Sequence, residues 1–233
     1  MSIIINADDF GLSKTVNEAI AQCFKNRLIN RTTVMTNMPN YPEAIQIAEK
    51  NGFKDKVGLH LTLDEGFPLT EAMRQNQNFC RDNQFVKGCM FKQRWLYYMS
   101  MNDRKCLEGE IEAQIKSYLD AGFTLMHIDS HHMVHTSSPL VFSIVIAKAL
   151  KYNFKSMRNI AIRPSDKLVK RIIKNSIKRK IEKKFVTTNH FALYSHFVPG
   201  DNDIEYMLHP DIYQGQLVDF LDRKSGKVMA LKQ

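Results

Sequence analysis

The feature of this sequence that most constrains its fold is a regular alternation of strand-like and helix-like segments. Seven segments rich in aliphatic and β-branched residues predict strands, at 3–6, 31–36, 57–63, 125–133, 159–164, 185–193 and 204–208. Segments with apolar residues at helical spacing lie between and after them, at 13–27, 41–50, 106–121, 139–152, 166–184 and 214–223. Repeated βα units predict a parallel sheet, so the expected fold class is α/β. Seven strands favour a distorted (β/α) TIM-like barrel over an open doubly wound sheet.

The length and composition of the chain fit one globular domain covering residues 1–233. The sequence is 44% hydrophobic and 24% charged, which excludes a disordered chain. No apolar run approaches the roughly 20 residues of a membrane span, and we expect neither a signal peptide nor a membrane partner. Cys23, Cys80, Cys89 and Cys106 lack metal-knuckle spacing and predict free thiols in a reducing cytoplasm.

The positive charge of the chain is concentrated in one predicted helix. Residues 166–184 contain nine Lys and Arg against Asp166 and Glu182, so this segment carries +7 of the formal +9. Six aliphatic residues recur there at helical spacing, and we expect that face to pack on the protein: Leu168, Val169, Ile172, Ile173, Ile177 and Ile181. The lysines then form a solvated face. A nucleic-acid partner is not expected, because no aromatic interleaving or helix-turn-helix pattern accompanies the charge.

Ionisable side chains recur where the predicted strands end. Asp8 and Asp9 follow the first strand, His60 lies in the third, and the fourth leads into a histidine-rich run. The full set is Asp8, Asp9, His60, His127, Asp129, His131, His132, His135, Arg163 and His209. Active sites of α/β folds form at the C-terminal ends of parallel strands, so we expect these side chains to meet there.

Imidazoles and carboxylates in this arrangement indicate a divalent metal site. Two His and one carboxylate leave positions open for water and substrate. Two adjacent carboxylates repel each other, and they are accounted for if one ligates a metal while the other accepts a proton from water. Asp129, His127 and His135 could then orient the ligands. Each feature alone has a simpler explanation, as a turn, a core histidine or a surface histidine cluster, but their joint placement favours the metal site.

Five motifs resemble those of a known family. NADDFGLS, TTVMTNMP, GLHLTL, HIDSHHMVH and MLHP occur in order between residues 3 and 210. Together they resemble the YdjC-like carbohydrate deacetylases, which include the chitooligosaccharide deacetylases. The resemblance implies a barrel related to those of polysaccharide deacetylases and glycoside hydrolases. It also implies a single catalytic domain that uses a divalent metal to remove an acetyl group from an N-acetylated sugar.

The resemblance also implies a role for individual residues. Asp9, His60 and His131 are similar to the family's metal ligands, and Asp8 to its general base. His209 is similar to the group that protonates the leaving amine. Arg163 is similar to an arginine that holds the pocket carboxylates or the substrate. The family is described with magnesium or a similar ion, and a ligand set of two His and one Asp would on chemical grounds also suit zinc.

Two departures from the family pattern stand near the end of the chain. Asp211 follows the late His-Pro pair, where the family commonly has Gly, and would add a charge near the pocket. The chain then ends soon after SGKVMALKQ, where relatives usually carry a further strand and helix.

Two other functions use the same features. A metal-dependent phosphoesterase or amidohydrolase would need the same ligands, but only Arg163 offers a phosphate-binding cation at a strand end. A non-catalytic sugar- or nucleic-acid-binding relative would use the basic helix. The expected partner is a small oligosaccharide. In the long excursion 64–103, Phe91, Trp95, Tyr97 and Tyr98 could stack on it, contact the second subunit of a homodimer, or pack in the core.

Overall fold

The computed structural model describes residues 3–92, 95, 98–162, 165–222 and 225–231. Its strands are β1 (Ile4–Phe10), β2 (Arg31–Val34), β3 (Val57–Leu61), β4 (Cys80–Arg81), β5 (Gln84–Phe85), β6 (His127–Ser130), β7 (Ser156–Met157), β8 (His190–Leu193), β9 (Ile204–Leu208), β10 (Pro210–Tyr213), β11 (Gln216–Asp222) and β12 (Lys227–Ala230). Its α-helices are α1 (Lys14–Lys25), α2 (Tyr41–Lys50), α3 (Glu71–Arg74), α4 (Met101–Asp120), α5 (Pro139–Lys151) and α6 (Leu168–Lys184).

Seven of the strands form a curled parallel sheet. Their order is β7-β6-β3-β2-β1-β9-β8, and every neighbouring pair is parallel. Ser156 in β7 also forms a parallel bridge with Val186, just before β8, so the two edges of the sheet are connected through this segment. The predicted α/β barrel-like fold of about seven strands is confirmed.

Burial and helix capping explain where these strands and helices form. Every residue of β3 is buried, as is expected for a parallel strand covered on both faces. Ser13 begins α1 by accepting a hydrogen bond from the Val16 N–H, and the predicted stripe of Val16, Ala19 and Ile20 faces the core. Ser100 caps α4 in the same way, so α4 begins five residues before the predicted start.

One predicted strand is shorter than expected, and another does not form where it was predicted. The strand at 125–133 ends at Ser130, because the next six residues form a 3-10 helix in which His132 and Met133 have left-handed φ values of 49° and 57°. The strand predicted at 159–164 is wrong as well. The strand that pairs with β6 in this region is β7, which ends at Met157. Asn159 lies beyond it, and its side-chain amide donates to the Thr188 carbonyl oxygen.

The helix predicted at 214–223 is also wrong, because this segment lies in an antiparallel sheet of β10, β11 and β12. Gln214 and Gly215, with φ values of 50° and 75°, make the two-residue turn between β10 and β11. Positive φ at both central residues is the signature of the tight hairpin turn that matches strand twist. β10 packs against α1, so this sheet covers one flank of the sheet of seven strands.

The remaining predictions concern aromatic and aliphatic side chains. Trp95 is buried, stacks on Phe79 with ring centroids 5.1 Å apart, and donates to the Cys89 carbonyl oxygen, so it is a core residue. Phe91 and Tyr98 are exposed, and Tyr97 lies outside the described residues. In α6 only Ile177 and Ile181 are buried. The prediction that all six aliphatic residues of this helix pack on the protein is therefore wrong for four of them.

Candidate active site

A cavity of about 700 Å³ opens at the C-terminal ends of β1, β3, β6 and β9. Its polar lining includes Asp8, Asp9, His60, Asp64, Glu65, Lys87, Ser130, His131, His132 and His209. Its apolar lining comes from Leu12, Phe91, Met133, Leu193, Met207, Phe220 and Leu221. Phe220 and Leu221 belong to β11, so the C-terminal hairpin forms part of the wall. Asp211 is buried in β10 and is not among these lining residues.

Three predicted residues converge at this cavity, and we call them the Asp–His–His cluster: Asp9, His60 and His131. The Asp9 Oδ1 atom lies 2.8 Å from His131 Nδ1 and 3.3 Å from His60 Nε2. One possible ligand atom from each of these residues lies within 4.8 Å of those of the other two. Asp9 reaches this position with a left-handed φ of 69°, an unusual backbone for Asp that turns its carboxylate toward the histidines.

The donor atoms of this cluster fit a metal ion. His60 Nε2 is buried and has no hydrogen-bond partner among the described residues. The opposite nitrogen of the ring, Nδ1, lies 2.7 Å from Asp129 Oδ1. A carboxylate on one imidazole nitrogen holds the proton there and leaves the other nitrogen free to ligate, as in many metalloenzymes. His127 and His135 also have a buried Nε2 atom without a hydrogen bond. What distinguishes His60 is that its ring meets Asp9 and His131 at the cavity.

His131 has a carboxylate at each ring nitrogen. Its Nδ1 atom faces Asp9, and its Nε2 atom lies 3.0 Å from the Oε2 atom of Glu65. Glu65 follows β3 and also lies 3.7 Å from the Lys87 ammonium. The His132 ring lies beside that of His131, with ring centroids 3.8 Å apart, and its Nδ1 atom lies 3.0 Å from Asp64 Oδ2. Glu65, His131 and His132 form a second group of donors that could hold a metal ion. Glu65 and Asp64 were not predicted, although both stand directly after the GLHLTL motif that carries His60.

The electrostatic field of the cluster is negative enough to favour cations. Burial alone would lower the pKa of His60, but the carboxylates of Asp129 and Asp8 outweigh it and raise the pKa to about 10. The pKa of His131 rises to about 9, because Asp9 outweighs burial there. Burial would raise the pKa of Asp9, yet His131, His60 and His209 hold it well below its usual value.

Beneath this cluster lies a second set of buried charges, which we call the charge layer: Arg31, Arg158, Asp8, Asp129 and Glu205. Arg158 is fully buried and contacts both oxygens of Asp8 at 2.7 and 2.6 Å. The same guanidinium reaches Asp129 at 2.7 Å and Glu205 at 2.6 Å. Arg31 lies 2.7 Å from the other Glu205 oxygen. Burial would raise the pKa of Glu205, but the two arginines lower it to about 2.

Arg158 makes contacts of the kind that the family resemblance led us to expect from Arg163. Arg163 lies outside the described residues, whereas Arg158 contacts the pocket carboxylates directly. Arg158 immediately follows β7, where the strand pattern was misplaced by several residues. Its side chain points inward next to Met157, and only the correct strand position would have identified it. Glu205 was missed for a simpler reason, because one Glu inside a predicted strand carries no motif.

The remaining predicted histidines occupy different surroundings. Burial and the nearby Arg31 lower the pKa of His127 to about 3, and its Nδ1 atom lies 2.9 Å from Ser156 Oγ. Burial lowers the pKa of His135 to about 4, and its ring contacts Ser130 Oγ. Neither touches the Asp–His–His cluster. His209 follows β9, lines the cavity and is held through its backbone N–H by Asp219 Oδ1 at 2.8 Å.

The profile of the family described as "YdjC-like protein" matches residues 2–228. The chain belongs to the YdjC-like family. A "Carbohydrate deacetylase" of Thermoanaerobacter pseudethanolicus is 35% identical to this YdjC-like chain over 179 residues, which are 76% of this chain and 65% of the relative. The protein of the same name from Halalkalibacterium halodurans is 34% identical over 220 residues, covering 90% of this chain and 85% of the relative.

A solved structure shares the fold of this YdjC-like chain. It is titled a putative cellobiose-phosphate cleavage protein from Enterococcus faecalis V583. It superposes with a TM-score of 0.70 at 22% identity and covers 91% of this chain and 82% of that protein. At this identity the likeness establishes the shared architecture.

Proposed function

We propose that this protein is a metal-dependent carbohydrate deacetylase that hydrolyses the acetamide of an N-acetylated chitooligosaccharide to a free amine and acetate. The observation that carries this proposal is the meeting of Asp9, His60 and His131 at the cavity, where the buried His60 Nε2 atom faces Asp9 Oδ1 at 3.3 Å and makes no hydrogen bond among the described residues. The relatives named "Carbohydrate deacetylase" support the same reaction class.

One divalent ion, magnesium or zinc, would be held by Asp9, His60 and His131. Two imidazoles and one carboxylate suit zinc, and magnesium would complete its shell with water. When bound, such an ion supplies Lewis-acid polarisation of the acetamide carbonyl and of a water molecule. Asp129 would fix the His60 ring from below through the 2.7 Å contact to Nδ1.

Asp8 would act as the general base. Its carboxylate lines the cavity, lies 4.0 Å from His60 Nε2 and is fixed by Arg158 and by the Asn6 amide at 2.7 Å. A base must be held at one position to accept a proton from water as the oxygen adds to the carbonyl carbon. The bidentate contact with Arg158 provides this rigidity.

His209 would act as the general acid. It lies at the end of β9 and lines the same cavity as Asp8 and Asp9. When the carbon–nitrogen bond breaks, the departing nitrogen needs a proton, and an imidazolium can donate it. Acetate then leaves with the water oxygen, and the sugar retains the amine.

The apolar wall would receive the sugar. Sugar rings present C–H faces that pack on aromatic and aliphatic side chains. Phe91, 51% exposed at the cavity rim, offers such a surface. Met207 and Phe220 line the same cavity and would pack against the acetyl methyl group or the ring.

The protein would work in a reducing compartment, the cytoplasm. Cys23, Cys80, Cys89 and Cys106 are free and buried. Burial raises the pKa of Cys23, Cys80 and Cys89 to about 12, which keeps these thiols unreactive.

The test is acetate release from N,N′-diacetylchitobiose by the purified protein, with metal content measured on the same sample. We expect release that a chelator abolishes and that added magnesium or zinc restores. Unchanged release after complete metal removal would contradict the metal-dependent mechanism. Bound metal with no acetate release, but with hydrolysis of p-nitrophenyl phosphate, would contradict the deacetylase proposal in favour of a phosphoesterase.

A further inference from the structure

Helix α6 presents an aliphatic surface that the rest of the protein does not cover. Leu168, Val169, Ile172 and Ile173 are 72, 69, 60 and 38% exposed, whereas Ile177 and Ile181, about one and two turns beyond Ile173, are buried. Exposed single aliphatic residues are ordinary, but four within six positions of one helix form a contiguous patch. We call these four residues the aliphatic patch.

The same helix carries a large positive charge that is only partly neutralised. Lys170 and Lys174 pair with Asp166, and Lys178 pairs with Glu182. The other six cations form no ion pair with any residue in the described ranges: Lys167, Arg171, Arg179, Lys180, Lys183 and Lys184. This unneutralised charge indicates an anionic partner.

The aliphatic patch and part of this charge lie on one outward side of α6. Residues spaced three, four, seven or eight apart share a helix face, so Leu168 and Ile172 align with Arg179 and Lys183. The outward side is therefore aliphatic in its first two turns and basic in its last two. A shallow depression of about 430 Å³ runs along it, lined by Ile172, Asn175, Ser176, Arg179, Lys180 and Lys183.

We propose that α6 docks this protein on the surface of an anionic phospholipid bilayer. The aliphatic patch enters the boundary between headgroups and acyl chains, and Arg179, Lys180 and Lys183 contact the lipid phosphates. Helices with an apolar surface and several Lys or Arg bind membranes in this manner. None of the described helices is long and apolar enough to cross a membrane.

Charge and shape favour this partner over two others. A second copy of the chain would bring the same six cations against this surface, and like charges repel. A nucleic acid would pair with the cations but would leave the aliphatic patch without an apolar partner. An anionic bilayer offers acyl chains to the aliphatic half of the outward side and phosphates to its basic half.

The experiment measures binding of the full chain to sedimented vesicles, of phosphatidylcholine alone or of phosphatidylcholine mixed with phosphatidylglycerol. We expect binding to the mixed vesicles only, weakened by salt. The triple variant Arg179→Ala, Lys180→Ala and Lys183→Ala should bind about 100-fold more weakly, since each cation near such a surface contributes about a factor of five. Lys25→Ala, Lys50→Ala and Lys105→Ala remove the same charge from exposed sites elsewhere and should bind as wild type.

A second triple variant tests the aliphatic patch. Leu168→Ser, Val169→Ser and Ile172→Ser lie on exposed positions, so the protein should fold, and vesicle binding should fall at least tenfold. The proposal is overturned if wild type does not bind the mixed vesicles at low salt, or if both basic triples weaken binding equally. It is also overturned if the aliphatic triple binds vesicles as wild type, or if its only effect is to dissociate a dimer in solution.

Discussion

The charge layer and the Asp–His–His cluster both contain buried carboxylates, but these carboxylates have different partners. In the charge layer, each carboxylate of Asp8, Asp129 and Glu205 contacts a guanidinium at 2.6–2.7 Å. In the cluster, Asp9 has only imidazoles as partners, and His60 Nε2 has no hydrogen bond among the described residues. Buried charge by itself therefore does not identify the site. The meeting of one carboxylate and two imidazoles at the cavity does.

The difference separates a structural role from a functional one. Arg158 neutralises carboxylates that would otherwise repel one another, so the charge layer is complete without any ligand. The Asp–His–His cluster brings a carboxylate and two imidazoles together at a cavity and could hold a metal ion. Asp8, which lines the cavity, and Asp129, which contacts His60, connect the two sets. Variants at Arg31, Arg158 and Glu205 should therefore act mainly on folding stability, and variants in the cluster should change metal binding and turnover.

The largest effect is expected from Arg158→Ala. It would leave Asp8, Asp129 and Glu205 buried without their common cation, and breaking such a network costs about 3–5 kcal/mol. Urea unfolding would measure the loss in free energy of unfolding. Arg104→Ala, which removes an exposed i,i+4 ion pair with Glu108, is the matched control and should change it by less than about 0.5 kcal/mol. If the two variants lose the same free energy of unfolding, the charge layer stabilises the fold no more than an exposed ion pair does.

His131→Ala should act on function. It removes one of the three donors at the cavity, and we expect kcat/KM for acetate release to fall by two to three orders of magnitude, about 3–4 kcal/mol of transition-state stabilisation. Metal content of the purified protein should fall in parallel. His190→Ala, at an exposed histidine in β8, should leave both unchanged. A variant at position 131 with full metal content and normal turnover would show that the cluster is not the site.

The cluster was easier to predict from sequence than the charge layer, and the reason is local. Asp8, Asp9, His60 and His131 stand at the ends of strands with clear aliphatic patterns, and parallel strands bring their ends together. Arg158 follows a strand of only two residues, whose pairing is set by its neighbours β6 and Val186 rather than by its own composition. Partners separated by 150 positions, such as Asp8 and Arg158, leave no local signal.

The hairpin and the aliphatic patch escaped prediction for different reasons. The segment 214–223 contains apolar residues at spacings that fit a short helix, and the turn at Gln214 and Gly215 was the stronger signal. In α6 the spacing of aliphatic residues correctly predicted a helix. Periodicity predicts which residues share a face, but it does not predict whether the protein has a surface to cover all of them.

Asp129 contacts both the charge layer and the Asp–His–His cluster, so variants there test whether the two sets act independently. Its Oδ1 atom holds His60 and its Oδ2 atom contacts Arg158, so Asp129→Asn should lower metal affinity about 10–100-fold and also reduce stability. Glu205→Gln is the matched control, because the ion pairs of Glu205 among the described residues are with Arg31 and Arg158 and none is with the cluster. It should reduce stability and leave metal affinity unchanged in equilibrium dialysis. Equal loss of affinity in both variants would mean that the layer and the cluster are one unit.

The smallest effect is expected for His135, where burial is the main influence on the pKa. The pKa of His135 is lowered by burial to about 4, so below its unfolded value near 6.5 the unfolded chain binds a proton that the folded chain does not. Stability from this residue is therefore lost as pH falls from 6.5 toward 4. Relative to His135→Gln, wild type should lose about 1 kcal/mol between pH 6.5 and 5.5, measured by urea unfolding.

The comparison with a variant is needed because His60 and His131 titrate with the opposite sign. Their pKa values are raised to about 10 and 9, so their contribution is complete below pH 6.5 and is lost as pH rises through those values. Subtracting the His135→Gln curve cancels them. If the His135 difference does not change with pH, burial does not lower the pKa of its imidazole, and the prediction is wrong.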